Sequence, residues 1–189
     1  QKLLNSNIVK LHDRNRDEIA QVPGMALVAQ NSEGGDTKVS VYTISAKDFL
    51  KAGESAKREV FGPTAVVVNC ANADELLRVA ESFFGTLTSG IHAIEGDPMD
   101  LSQLISIVER ISGRIVWNQW PTGLAVTWAM HHGGPYPAST NPLFTSVGAK
   151  AILRFRRPIT YQNFPQNYLS PVLRDGAPEL NNARINGKS

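Results

Sequence analysis

Five consecutive residues, Glu59-Val60-Phe61-Gly62-Pro63, put a carboxylate, an aromatic ring and a tight turn directly before an apolar stretch. An ionised carboxylate only accepts hydrogen bonds, so it suits two neighbouring hydroxyls such as those of a ribose. The ring of Phe61 offers a flat face to a planar heterocycle. Gly62-Pro63 ends the loop sharply and feeds the chain into residues 64–70, which read as a strand. A plain turn with a surface Glu and a buried Phe fits the same five residues, so the surrounding elements must decide.

Those elements follow a regular alternation. Residues 64–69 form a continuous apolar, β-branched run, the pattern of a strand covered on both faces. A helix opens at Asn72 or Ala73, with Leu76, Leu77, Val79, Ala80, Phe83 and Phe84 at helical spacing, and Gly85 stops it. Asp74 and Glu75 fall in its first turn, where the helix dipole favours negative charge. Residues 87–94 read as a second strand. A second helix follows, capped by Asp97 with Pro98 in its first turn, and residues 114–117 form a third strand. Strand–helix–strand–helix–strand with short connections predicts parallel pairing and an α/β fold, a mainly parallel sheet flanked by helices.

The flanking segments are less regular. Residues 25–29 and 38–43 look strand-like around a turn-rich stretch, and 46–51 begins a short helix. Residues 8–11 read as a helix end running into a charged loop over 13–18. Residues 119–141, rich in Pro, Gly, Ser and Thr, predict a long ordered loop on one side of the sheet. Asn141-Pro142 is expected to start a helix through Phe155, residues 158–164 to be extended, and 170–189 to be a polar tail.

With 189 residues, 42% hydrophobic and 19% charged, the chain has the composition of an ordinary globular protein. A net charge of +2 with scattered Lys and Arg argues against nucleic-acid binding, since Arg154-Phe155-Arg156-Arg157 is the one basic knot. No run has the apolar length of a membrane span and no signal-peptide core is present, so a cytoplasmic setting is expected. Residues 1–11 read like the end of a helix already under way and the first residue is Gln, which suggests a piece of a longer protein.

The order of these motifs resembles the C-terminal part of an aldehyde dehydrogenase. The likeness is carried by residues 59–63 before a strand and helix, then Gly85-Thr86-Leu87-Thr88-Ser89-Gly90, Gly113-Arg114-Ile115-Val116-Trp117-Asn118 and His132-Gly133-Gly134-Pro135. Gln119-Trp120-Pro121-Thr122-Gly123, the run from His131 to Thr140, and Tyr161-Gln162-Asn163-Phe164-Pro165 resemble the branch that oxidises 2-oxoglutarate semialdehyde. One departure is Pro135-Tyr136-Pro137, standing where the common family pattern continues from its Gly-Gly pair into a Lys and a Ser-Gly.

The resemblance implies an NAD- or NADP-dependent oxidation of a semialdehyde through a cysteine thiohemiacetal, a combination of covalent and general-base catalysis. It places residues 1–165 as part of the catalytic domain and 166–189 as a C-terminal tail. It puts both catalytic groups outside this segment, in the N-terminal half of the same protein, so that no catalytic residue is expected here and the segment alone is expected to be inactive. It carries over Glu59 as acceptor for the nicotinamide-side ribose hydroxyls and Phe61 as a wall near the nicotinamide ring. Asn118, Gln119, Trp120 and Thr122 are implied to line the aldehyde entrance, with Arg58, Arg114 and Gln119 open as partners for a substrate carboxylate. It also implies a homo-oligomer in which residues 158–164 pair with a partner subunit.

Other chemistries find less support. Cys70, the single cysteine, follows an apolar strand and reads as a buried core thiol. His131-His132 is not read as a metal site, because adjacent residues do not share a face and no further ligand stands at the right spacing. A hydrolase would need a Gly-x-Ser-x-Gly elbow, which the chain lacks. A flavodoxin-like domain would need a phosphate-cradling loop after its first strand, and Asn69-Cys70-Ala71-Asn72 is not one. A non-catalytic assembly or ligand-binding module stays as the alternative.

Overall fold

A computed structural model describes residues 2–31, 35, 37–97 and 99–182. The chain divides into two units, Gln1–Ala151 and Ile152–Ser189.

The first unit opens with helix α1, Ser6–Ala20. Asn5 caps it, its side-chain oxygen accepting from the amides of Asn7 at 3.1 Å and Ile8 at 3.0 Å. The helix therefore starts at its own cap, and residues 13–18 are helical rather than the expected loop. Their charges pair along the helix: Arg16 reaches Asp13 at 2.7 Å and Arg14 reaches Glu18 at 3.8 Å. The buried stripe is His12, Asn15 and Ile19, mostly polar, so no hydrophobic period announced the helix.

Strands β1 (Ala26–Gln30) and β2 (Ser40–Ser45) form an antiparallel pair with an irregularity between Leu27 and Ala29. Ser32, Glu33, Gly34 and Asp36, in the turn expected between them, lie outside the described residues. β2 pairs in parallel with β3 (Thr64–Asn69), completing the order β1-β2-β3. Helix α2 (Ala46–Ala52) is capped by Ser45, and α3 (Glu54–Lys57) leads to the 59–63 loop. Tyr42 and Ile44 of β2, Phe49 and Ala46 of α2, and Ile19 of α1 close the core. Burying a side chain such as Phe49, 2% exposed, contributes roughly 1.5–3 kcal/mol.

β3 corrects one expectation. Val66 and Val68 pack on the core, but Val67 on the opposite face is 48% exposed, so this unit covers the strand on one face only. Helix α4 (Ala73–Glu81) follows, with Asn72 accepting from the Glu75 amide at 3.0 Å. Strand β4 (Thr86–Ile91) then pairs in parallel with β5 (Ser112–Trp117) in a second sheet. The predicted parallel βαβ unit exists between β4 and β5, whereas β3 takes β2 as its neighbour and does not pair with β4.

Between β4 and β5 runs helix α5, Leu101–Ile111. Its cap is Asp100, which accepts from the Ser102 amide at 2.9 Å. Asp97, the expected cap, instead accepts from the Met99 amide at 2.9 Å in the preceding turn, and Pro98 lies outside the described residues.

Residues 119–141 carry no regular element, as expected, and run from the C-terminal end of β5 back to the N-terminal ends of both strands. There the backbones nearly touch: a Cβ on Gly113 would stand 2.1 Å from the Gly133 carbonyl oxygen. The helix expected from Asn141 to Phe155 is absent, and only a 3₁₀ segment, Ala149–Phe155, forms. Ser146 and Ala149 spend their amides on the carbonyls of His132 (3.0 Å) and Thr127 (3.1 Å), removing donors a helix would need.

In the second unit, residues 158–164 belong to no strand and are exposed along their length. Short 3₁₀ turns occupy Gln166–Tyr168, Pro171–Leu173 and Pro178–Asn182. Arg174 ties the first two together by donating to the Leu169 carbonyl at 3.1 Å and the Asn167 carbonyl at 3.4 Å. Among the described residues no helix is long and apolar enough to cross a membrane.

Candidate functional site

The loop after α3 is tied down where it enters β3. Thr64 donates its amide to the Gly62 carbonyl at 2.8 Å, and the Pro63 carbonyl accepts from Ser40 at 3.0 Å, tying the loop to β2. Gly62 has φ +155, a conformation that an L side chain rarely adopts. Ahead of these ties the Glu59 side chain is exposed and, among the described residues, makes no hydrogen bond or ion pair. Phe61 beside it is 59% exposed. An unengaged carboxylate and an open ring thus share one short loop, and two acceptor oxygens there are free for a diol.

A second location lies along β5, between the strand and the loop that follows it. A cleft of about 470 Å³ brings together Gln119, Trp120 and Thr122 with Arg114, Met130 and His131. Trp120 stays 77% exposed, with its ring 5.3 Å from the His92 ring and tilted 48° to it. Arg114 donates to the Gly123 carbonyl at 2.9 Å, leaving its guanidinium in the cleft with further donors available.

Asn118 does something different. Its side chain donates to the Ala93 carbonyl at 2.8 Å and accepts from the Ala93 amide at 2.9 Å, with its own φ at +50. Here the amide staples the C-terminal ends of β4 and β5 and does not line the cleft. Arg58, another candidate for a substrate carboxylate, is paired with Glu18.

Cys70 is half-buried and packs on the edge of the core. Burial, reinforced by the nearby negative charge of Glu75, pushes its thiol above the usual range. That disfavours the thiolate a nucleophile requires. Among the described residues no group of His, Cys, Asp or Glu has the arrangement of a metal site.

The residues that sequence reasoning missed lie on α1. His12 is fully buried, with Nε2 3.0 Å from Thr64 Oγ1 and Nδ1 2.7 Å from Thr37 Oγ1. Asn15 Nδ2 donates to the Glu59 carbonyl at 3.2 Å. The one available signal was polar residues at core spacing, positions 12, 15 and 19, inside a charged run. Asp13, which accepts from Thr37 at 2.5 Å, has its carboxyl held below the usual value by that bond, with His12 and Arg16 helping.

Comparison with known proteins supplies the context for these two locations. No family model matches the chain. The chain is 37% identical over 180 residues to alpha-ketoglutaric semialdehyde dehydrogenase 2 of Azospirillum brasilense, covering 93% of this chain and 34% of the relative. It is 33% identical over 190 residues to alpha-ketoglutaric semialdehyde dehydrogenase of Acinetobacter baylyi, covering 99% of this chain and 36% of the relative. The likeness is to aldehyde dehydrogenases. A betaine aldehyde dehydrogenase from Staphylococcus aureus, solved in complex with NAD+, shares the fold over 82% of this chain and 30% of its own, with a TM-score of 0.57 at 13% identity. The chain spans about a third of the length of these curated aldehyde dehydrogenase relatives.

Proposed function

We propose that this chain is the C-terminal part of an NAD(P)-dependent aldehyde dehydrogenase that oxidises 2-oxoglutarate semialdehyde to 2-oxoglutarate. The similarity to two alpha-ketoglutaric semialdehyde dehydrogenases, at 37% and 33% identity over nearly the whole chain, carries the reading. The cysteine nucleophile and the dinucleotide-binding half belong to the portion outside this segment, which is its first partner. Residues 1–165 complete the catalytic domain and 166–189 form its tail.

Glu59 and Phe61 are the groups for the cofactor. The exposed Glu59 carboxylate, with no partner among the described residues, suits the two hydroxyls of a ribose, and Phe61 beside it suits a planar ring. When bound, the dinucleotide supplies the hydride acceptor, and these residues bind and orient it. Gln119, Trp120 and Thr122 receive the aldehyde, with Arg114 in the same cleft as the cation for its distal carboxylate. Asn118 supports that cleft through its staple on Ala93. Residues 158–164, exposed and without a strand partner, are the surface for a second copy of the chain in a homo-oligomer.

The test is turnover by the intact protein. It should reduce NAD or NADP with 2-oxoglutarate semialdehyde at a higher kcat/KM than with an unbranched aldehyde of equal length lacking the carboxylate. No turnover of any semialdehyde with either cofactor would defeat the assignment.

A further inference from the structure

An exposed five-residue loop does not by itself hold a carboxylate still. Helix α1 lies along this loop and meets it in reverse order. Glu18 pairs with Arg58, Asn15 donates to the Glu59 carbonyl at 3.2 Å, and His12 reaches Thr64 at 3.0 Å. Positions 12, 15 and 18 advance three residues at a time, so these contacts follow one side of the helix. Gly62 packs directly on the His12 ring, its missing Cβ only 2.4 Å from His12 Cδ2.

A fully buried imidazole needs partners for both ring nitrogens. Thr37 gives its single hydroxyl hydrogen to Asp13 at 2.5 Å, so towards His12 Nδ1 it can only accept. That hydrogen count assigns the proton of a neutral imidazole to Nδ1 and leaves Nε2 to accept from the Thr64 hydroxyl. The ring is thereby fixed from both sides. An apolar side chain would fill the position with less desolvation, which makes a polar chain of Asp13, Thr37, His12 and Thr64 a choice of geometry over economy.

We propose that α1 is the positioning element for the cofactor loop, with His12 as its central positioning residue. The imidazole locks Gly62 by packing and Thr64 by hydrogen bonding, and so sets where Glu59 and Phe61 stand. The inference rests on the reading of Glu59 and Phe61 as cofactor-binding groups. Displacement of an orienting group by about 1 Å can cost on the order of a hundredfold in rate, so a loosened loop has a kinetic signature.

The experiment uses the intact protein with His12→Ala, His12→Gln, Thr64→Val and, as a control, Glu59→Gln. Amide hydrogen exchange, NAD+ affinity by calorimetry, and kcat with KM are measured on each. His12→Ala and Thr64→Val should raise exchange across residues 58–64 roughly tenfold while leaving residues 101–111 unchanged, weaken NAD+ severalfold and lower kcat about tenfold, with the aldehyde KM little altered. His12→Gln, whose amide reaches towards Thr64, should restore much of each. Unchanged exchange across 58–64, or raised exchange with unchanged NAD+ affinity and kcat, overturns the proposal. A lower melting temperature with all other readouts unchanged also overturns it, as the sign of a merely structural role. Should His12→Ala fail to fold, Thr64→Val keeps the side-chain shape and carries the same comparison alone. If Glu59→Gln weakens NAD+ and the His12 and Thr64 variants do not, positioning fails by itself. If Glu59→Gln changes nothing, the cofactor reading fails and takes this inference with it.

Discussion

Gly62 and His12 leave no room for a methyl group between them, since a Cβ at position 62 would stand 2.4 Å from His12 Cδ2. The imidazole cannot step aside without giving up Thr64 or Thr37, its partners at 3.0 Å and 2.7 Å. Gly62→Ala should therefore cost about 1–3 kcal/mol, from that overlap and from a φ of +155 that an L residue rarely adopts, read from the urea midpoint. Part of that cost belongs to the pair: in a His12→Ala background the penalty should shrink by at least about 0.5 kcal/mol. Simple additivity in the double variant would mean the two residues do not press on one another.

Asp13 makes acid stability a second observable. Its carboxyl lies below the usual value of 3.8, chiefly through the Thr37 hydrogen bond. A depressed carboxylate contributes stability that is present above the unfolded value and lost as pH falls through the folded one. The denaturation midpoint should thus hold from neutral pH down to the ordinary carboxylate range and drop below it, and Asp13→Asn should flatten that drop. An identical acid profile in the variant would remove Asp13 from the account.

Cys70 should react slowly. Burial and the charge of Glu75 raise its thiol above the usual 9.0, so the thiolate fraction near neutrality is small. Iodoacetamide labelling at pH 7.5 should lag behind a free-cysteine peptide, and Glu75→Gln should speed it modestly. Labelling as fast as the peptide's would contradict this environment.

Arg114 carries the prediction for substrate choice. In the intact protein Arg114→Gln should raise KM for a carboxylate-bearing semialdehyde at least about tenfold, the worth of a charge-assisted hydrogen bond, while changing KM for a neutral aldehyde little. Equal losses on both would mean the guanidinium serves only the Gly123 carbonyl and the Thr88 hydroxyl it already touches.

Legibility in the sequence tracked how local the deciding forces were. The β3 strand and the α4 helix declared themselves through β-branched run and helical period. β3 and the start of α4 stand where the pattern put them, but α4 ends at Glu81 and leaves Phe83 and Phe84 outside the helix that Gly85 was expected to stop. The start of α5 slipped three residues because Asp97 and Asp100 are both good caps, and only the turn at Met99 separates their jobs. The helix expected after Asn141 lost to bonds across sequence, Ser146 to His132 and Ala149 to Thr127, which no window of neighbours contains. The α1 helix hid behind its own polarity, because its inward side carries His12 and Asn15 where a period search looks for leucine. Glu59 and Phe61 stood out by residue type and as one exposed loop, but the helix behind them did not.

The exposed apolar residues of the two sheets have a practical outcome. Leu27 and Val28 on β1, Val67 on β3 and Trp117 on β5 all stand about half exposed or more. Oily ribbons of this kind, ending in unpaired strand edges, favour contact between molecules over contact with solvent. Handled by itself, the polypeptide should therefore associate increasingly as its concentration rises.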